Sequence, residues 1–469
     1  MAQGYDVVII GAGPGGYVAA VRASQLGLRV AIVEKDTRLG GTCLLRGCIP
    51  TKALLESAHV YERALDSAKF GVKTAGVELD FAGVQKFRNK TVDTNSKGIN
   101  FLMKKNKVDV LSGHGRLAGP GRISVTDAKG GVTEYDAAHV IIATGSVCKD
   151  MPFIEMDHVR TVNSDDILEI DQPPKSLVVM GAGAVGSEFA SIYRSFGTEV
   201  TLVEYQDRLL PIEDEAISKE LGRAFQKRGI KVQTGTAIRA VELVKNGVRV
   251  TMEPAEGGEK TVVEAEKLLV AVGRAPVTWD LGLETVGLAA DERGYLPVDA
   301  YCRTPAQGVY AIGDVIATPA LAHIASHEGV LVAELIAGQD ARPINYDFTP
   351  NCTYCDPEVA SVGLTEREAR ERGYDVKIGT FSFGANGKAR IMGADGGFVK
   401  IVADKKYDQL LGAHIIGPKA TELISEIGAA LTLESTTEEL YRTIHPHPTL
   451  AEAIGEAAAA VFNGAPLNS

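Results

Sequence analysis

The chain has 469 residues, enough for about three domains at roughly 150 residues each. Hydrophobic residues make up 45% and charged residues 23%, which excludes wholesale disorder. The formal charge of −11 argues against a nucleic-acid binder that works by counterion release. Six cysteines are too few for a disulfide-stapled secreted scaffold, so a reducing, cytoplasmic setting is expected and any disulfide is expected to be catalytic. Apolar runs such as residues 7–10 stop at glycine, so neither a membrane span nor a leading signal segment is expected.

Residues 5–34 read as an apolar strand, a glycine cluster, an amphipathic helix, a second apolar strand and a terminal Glu34. This is the pattern of a dinucleotide-binding unit. Gly11 permits the tight turn out of the strand, Gly13 lets backbone approach a pyrophosphate, and Gly16 lets the helix pack close to the sheet. Glu34 is placed to accept hydrogen bonds from ribose hydroxyls, and it would repel a 2′-phosphate.

Residues 40–52 follow as GGTCLLRGCIPTK. Five residues of regular helix would leave the Cys43 and Cys48 side chains about 140° apart, so a bridge needs a bent backbone. Gly47 and Pro50 allow the bend, with Pro50 in the first turn of a helix running towards Tyr61. A helix start and the charges of Arg46 and Lys52 favour a thiolate here. A pair of structural cysteines, or half of a metal site, fits the spacing too. The adjacent sequence offers no further zinc ligands, and no metal is expected.

Residues 108–143 hold short β-like runs broken by Gly and Pro, and 171–174 read as a linker. Residues 176–204 then repeat the first unit in register: Gly181, Gly183, Gly186 and Glu204 each lie 170 positions after Gly11, Gly13, Gly16 and Glu34. Residues 236–272 again look β-rich. After Asn345 the texture changes to strands at 359–363, 376–381, 398–402 and 409–416, with helices at 419–433 and 450–462. The fold class is therefore α/β, with two Rossmann-like domains and a C-terminal α+β domain. Near the end, His445 and His447 each precede a proline, and Glu452 is spaced to fix one tautomer of His447. A lone histidine is more often structural.

Taken together, the ordered motifs resemble those of the pyridine nucleotide–disulfide oxidoreductases over essentially the whole chain. They are GAGPGG at 11–16, the cysteine segment with Lys52, ATGS at 143–146, GAGAVGSE at 181–188, VGRAP at 272–276, AIGD at 311–314, ALAH at 320–323 and HPHPT at 445–449. The closest likeness is to the branch that oxidises protein-bound dihydrolipoamide with NAD. The resemblance implies an FAD domain at 1–149, an NAD domain at 150–276, a segment completing the FAD site at 277–346, and a dimerisation domain at 347–469. It places Gly115, Thr144, Gly145, Ser146, Asp314, Ala322 and His323 around FAD together with the first glycine loop and Glu34. It puts Lys52 beside the flavin and paired with Glu188. The second loop, Glu204, Ile238 and Gly273 would hold NAD. Cys48 would face the flavin, Cys43 would exchange with substrate, and His447, oriented by Glu452, would act as acid–base across a homodimer interface. Lipoyl domains and the acyltransferase core of a 2-oxo acid dehydrogenase complex would be the partners, with a mainly architectural subunit as the alternative.

Several positions depart from the pattern. Leu45 and Arg46 stand where the family usually has Asn and a small apolar residue. Arg46 is either neutral on a helix surface or a charge that lowers a thiol pKa. Cys355 and Asp356 replace Thr and His. If 352–355 is a strand, Cys352 and Cys355 point to opposite faces and are poorly placed to bridge. NADP-using relatives carry basic residues where Glu204 stands, and mercury-reducing ones a late cysteine pair, whereas no cysteine follows Cys355 here.

Overall fold

A computed structural model describes residues 4–468. The chain forms two compact units. The first comprises Met1–Ala53, Gln85–Lys149 and Arg274–Tyr346; the second comprises Leu54–Val84, Asp150–Gly273 and Asp347–Ser469.

In the first unit the strand Gly4–Ile10 lies between Val30–Glu34 and Val132–Ile142, parallel to both. Asp109–Ser112 extends one side of this sheet, and Arg122–Thr126 and His114–Leu117 extend the other. Val309–Ala311 also joins Val132–Ile142 in parallel. Val7, Val8, Ile9 and Ile10 are all buried, so this strand is apolar on both faces, as a covered parallel strand must be. Each such side chain contributes roughly 1.5–3 kcal/mol by leaving water. The helix Pro14–Gln25 starts with proline in its first turn. It packs against the helix Ala322–Ile336 through Gly15, Ala19, Ala325 and Gly329, and Arg22 and Glu334 close the contact at 2.6 Å. The single tryptophan, Trp279, is 56% exposed in this unit.

The second unit has three sheets. Ser176–Met180 is flanked in parallel by Glu199–Val203 and Lys267–Val270. Lys231–Gln233 and Thr161–Val162 lie at the edges. An antiparallel meander follows, of Thr236–Val244, Gly247–Pro254 and Thr261–Ala265. The C-terminal sheet is antiparallel, ordered Asn351–Thr353, Glu358–Gly363, Leu410–Gly417, Phe398–Asp404, Val376–Ser382. The helices Ala420–Thr432 and Glu452–Asn463 bury Ile424, Ile427, Ile454 and Val461 against it. The expected fold class is thus present: two parallel dinucleotide-type sheets and a C-terminal α+β layer. The segment Leu54–Val84 packs in the second unit, with Leu54, Leu55 and Phe81 in the same core as Phe189 and Tyr193.

The strand here does not run through 352–355. It ends at Thr353, so the alternation argument does not reach Cys355. Cys355 is fully buried and its thiol donates to the Pro357 carbonyl at 3.3 Å, while Cys352 is half-buried opposite Ala360. Among the described residues, no helix is long and apolar enough to cross a membrane and no His/Cys/Asp/Glu group could hold a metal ion.

Candidate redox and dinucleotide sites

The two glycine loops have the same internal geometry. Gly11 has φ +108° and Gly181 φ +98°; a Cβ there would lie 2.3 Å from the Ala143 carbonyl oxygen and 2.5 Å from that of Ala271. Only glycine fits such a site. A Cβ on Gly16 would stand 1.9 Å from the Gly11 oxygen, and one on Gly186 1.9 Å from the Gly181 oxygen. Gly13 and Gly183 cap the helices that follow, with extended backbone and no capping side chain, so no cap occupies those first N–H groups. Glu34 accepts the N–H groups of Ala12 and Asp36, each at 2.9 Å. Glu204 accepts those of Ala182 at 2.6 Å and Gln206 at 2.9 Å. Each carboxylate therefore braces its own loop and keeps further lone pairs for ribose hydroxyls. Burial pushes the Glu34 carboxyl up; the Ala12 and Lys35 N–H groups and the charges of Lys35 and Arg46 work against it.

In the first unit the loop after Glu34 leads to the cysteines. Gly40 donates to the Ala12 carbonyl at 3.0 Å. Gly41 has φ +58°, and a Cβ on it would come 2.5 Å from the Gly13 Cα, so the two backbones touch. The expected bend is present. The helix Gly41–Arg46 stops at Gly47 and a second helix, Cys48–Leu65, begins at once. A Cβ on Gly47 would lie 2.9 Å from the Thr42 oxygen. Cys43 thus sits inside the short helix, and it is Cys48 that opens the long one. The Cys43 thiol is pushed far up, first by its hydrogen bond to Cys48, then by burial and by Cys48 charge, while Lys52 pulls it down. The Arg46 guanidinium pairs with Asp36, and its charge acts on Glu34.

The remaining expected flavin-side residues also lie in the first unit, but several side chains are already engaged. Gly115 is a packing glycine; a Cβ there would meet Val33 Cγ1 at 3.0 Å and Ile10 Cγ2 at 3.2 Å. Thr144 donates its hydroxyl to the Val277 carbonyl at 2.6 Å, and Gly145 turns with φ +72°. Ser146 is buried, donates to Asp314, and accepts from Arg274 Nε at 2.7 Å. Ala322 and His323 open the helix Ala322–Ile336, which has no side-chain cap. Arg274 and the buried Glu328, which accepts the Gly313 N–H at 2.6 Å, complete this network. Arg274 lies in the VGRAP motif, but its partner Ser146 is 128 positions away, and Glu328 belongs to no motif.

In the second unit Glu188 is buried and accepts the Tyr354 N–H at 2.9 Å. Ile238 is buried at a bulge of its strand, in a core with Val203 and Val270. Gly273 has φ +118° and open space beside it. His447 Nδ1 lies 2.8 Å from Glu452 Oε1, and the histidine side chain is 79% exposed. Burial raises the Glu452 carboxyl, but the Thr449 N–H and His447 outweigh it and hold the group below its ordinary value. The expected orienting contact is therefore formed, with Nε2 left for a proton. The neighbouring His445 is different: its Nε2 meets Glu426 at 2.8 Å and its ring packs on Gly455.

Comparison with known proteins accords with this geometry. The chain is 47% identical to the dihydrolipoyl dehydrogenase of Bacillus subtilis over 470 residues, covering 98% of each chain. It is 44% identical to the mitochondrial dihydrolipoyl dehydrogenase of Pisum sativum, over 98% of this chain and 91% of that one. The crystal structure of LpdA from Mycobacterium tuberculosis superposes with a TM-score of 0.90 at 29% identity, over 97% of this chain and 99% of that one. Residues 5–329 match the model of the pyridine nucleotide-disulphide oxidoreductases, and residues 349–458 match that family's dimerisation domain. The chain belongs to the pyridine nucleotide-disulphide oxidoreductase family.

Proposed function

We propose that the chain works as a dihydrolipoyl dehydrogenase, oxidising protein-bound dihydrolipoamide to lipoamide with NAD as acceptor. The observation that carries this reading is the hydrogen-bonded Cys43 and Cys48 pair, held across the Gly47 break beside the first glycine loop. FAD is assigned to the first unit, where Glu34, the backbone approach of Gly13 and Gly41, and Asp314 suit a dinucleotide. NAD is assigned to the second, where Glu204 disfavours a 2′-phosphate. We assign the domains as 1–149, 150–276, 277–346 and 347–469, with Lys52 on the flavin side of the first unit.

His447 Nε2 takes a proton from one substrate thiol, and Glu452 stabilises the imidazolium that forms. The substrate thiolate attacks the sulfur of Cys43 in the Cys43–Cys48 disulfide, and Cys48 leaves as thiolate at the start of its helix, near the charge of Lys52. The second substrate thiol displaces Cys43 and releases the cyclic disulfide. FAD, when bound, supplies the link from thiol to hydride chemistry that a dithiol lacks. The exposed His447 serves the cysteine pair of a partner subunit in a homodimer. Lipoyl domains and the acyltransferase core of a 2-oxo acid dehydrogenase complex are the macromolecular partners.

Anaerobic addition of dihydrolipoamide and then NAD tests the reading. Long-wavelength charge-transfer absorbance followed by NADH is expected, and Cys48→Ser should abolish both. Undiminished NADH formation by Cys48→Ser would leave the proposal without its centre.

A further inference from the structure

We propose that Glu328 is a positioning residue for the flavin: it fixes the turn that carries Asp314, and its charge biases the flavin between oxidation states. The inference rests on the assignment of FAD to the first unit. Glu328 lies on the helix Ala322–Ile336 and is fully buried. Its Oε2 accepts the Gly313 N–H at 2.6 Å. Its Oε1 accepts the hydroxyls of Thr318 and Tyr346, each at 2.9 Å. Four segments thus meet at one carboxyl.

The carboxyl has little freedom to move. A Cβ on the next residue, Gly329, would come 2.6 Å from the Gly15 oxygen, so this helix lies backbone to backbone on the helix that follows the first glycine loop. Gly313 turns with φ +70°, and a Cβ there would stand 3.2 Å from the Cβ of Ala325, one turn before Glu328. Its N–H is held by Glu328, so the direction of the following residue, Asp314, is set from below. Asp314 is held from the other side by the Ser146 hydroxyl, which in turn accepts from Arg274. Burial, first, and the charge of Asp314 raise the Glu328 carboxyl, while its three donors oppose them. A charge buried near Asp314, the aspartate assigned to the FAD site, acts through a weakly screened medium. Negative charge there disfavours the reduced, anionic flavin.

Two substitutions separate these roles. Glu328→Gln keeps an acceptor for Gly313 and removes the charge. It is expected to favour reduced over oxidised flavin about tenfold, which is about 30 mV upward for a two-electron couple. Glu328→Ala leaves the Gly313 N–H without its acceptor and should weaken FAD binding by tenfold or more, read from flavin retention and titration of apoprotein. Visible circular dichroism of the bound flavin should change in both variants. A merely structural Glu328 would lower the melting temperature of both while leaving the potential of bound flavin in Glu328→Gln at the wild-type value; that result overturns the inference. If Glu328→Ala does not fold, the potential of Glu328→Gln decides alone. Wild-type protein that binds no flavin would instead overturn the FAD assignment, and this inference with it.

Discussion

The two glycine loops share a register that outlasts their sequence likeness, and they differ in what covers them. Leu210 donates to the Ala182 carbonyl at 2.9 Å just as Gly40 donates to Ala12, again 170 positions apart, and both have positive φ. Beyond that bond the chains part. In the first unit Gly41 closes over Gly13, and Gly15 is buried under Ala325. In the second, Gly183 has nothing within 4 Å of its missing Cβ, and Val185, the counterpart of Gly15, is 40% exposed. A roofed loop suits a dinucleotide that stays bound, and an open one suits a dinucleotide that exchanges every turnover. On the proposed assignment of FAD and NAD, the same framework serves cofactor and co-substrate according to what covers it.

Substitution at the helix-contact glycines gives the largest test. A Cβ at Gly16 or Gly186 collides with a backbone oxygen at 1.9 Å, and such overpacking costs about 3 kcal/mol. Gly186→Val should cut NAD reduction by more than about a hundredfold while dithiol reduction of the flavin persists. Gly16→Val should lose flavin during gel filtration. If both variants lose the same step, the division of labour is wrong. A smaller effect probes the lid itself. Gly15→Val places carbon 3.0 Å from the Ala325 oxygen and should speed flavin release about tenfold, for roughly 1–2 kcal/mol of overpacking. Val185→Gly should change the KM for NAD by no more than about twofold.

An effect on stability rather than turnover concerns the chain after Glu204, which in place of cysteines brings Glu213 into a buried contact with Asn351 at 2.5 Å. Burial pushes the Glu213 carboxyl up to about 7, with Asp214 and Glu368 adding and Ser361 and Asn351 opposing. The folded state then holds a proton that the unfolded chain releases above its ordinary value of 4.5. Stability therefore falls as pH rises from about 4.5 to about 7. Glu213→Gln should flatten that fall and gain roughly 2–3 kcal/mol at pH 8 relative to pH 5, measured by urea unfolding. An unchanged slope would remove Glu213 from the account.

The loops, Glu34, Glu204, Cys43, Cys48 and the His447–Glu452 contact were legible because each depends on residues close together in sequence or on a register repeated 170 positions later. The C-terminal strands were legible as apolar segments set between helical ones. Arg46 was not, because its partner is Asp36, a residue placed by the turn after Glu34 rather than by helical periodicity. Nor was the engagement of Thr144 and Ser146, whose hydroxyls are taken by groups 133 and 168 positions away. Glu328 reads as one more polar residue in a helix, and only the folded chain brings Gly313, Thr318 and Tyr346 to it.

Trp279 gives the molecule a built-in optical probe. Val277, two residues before it, binds the Thr144 hydroxyl and the Gly145 carbonyl, so the indole is tethered to the turn assigned to the flavin. Since no other tryptophan exists in the chain, ultraviolet excitation reports on one spot alone. Indole emits where flavins absorb, so loading with FAD will dim that light by energy transfer, and cofactor loss can be followed in real time without a label.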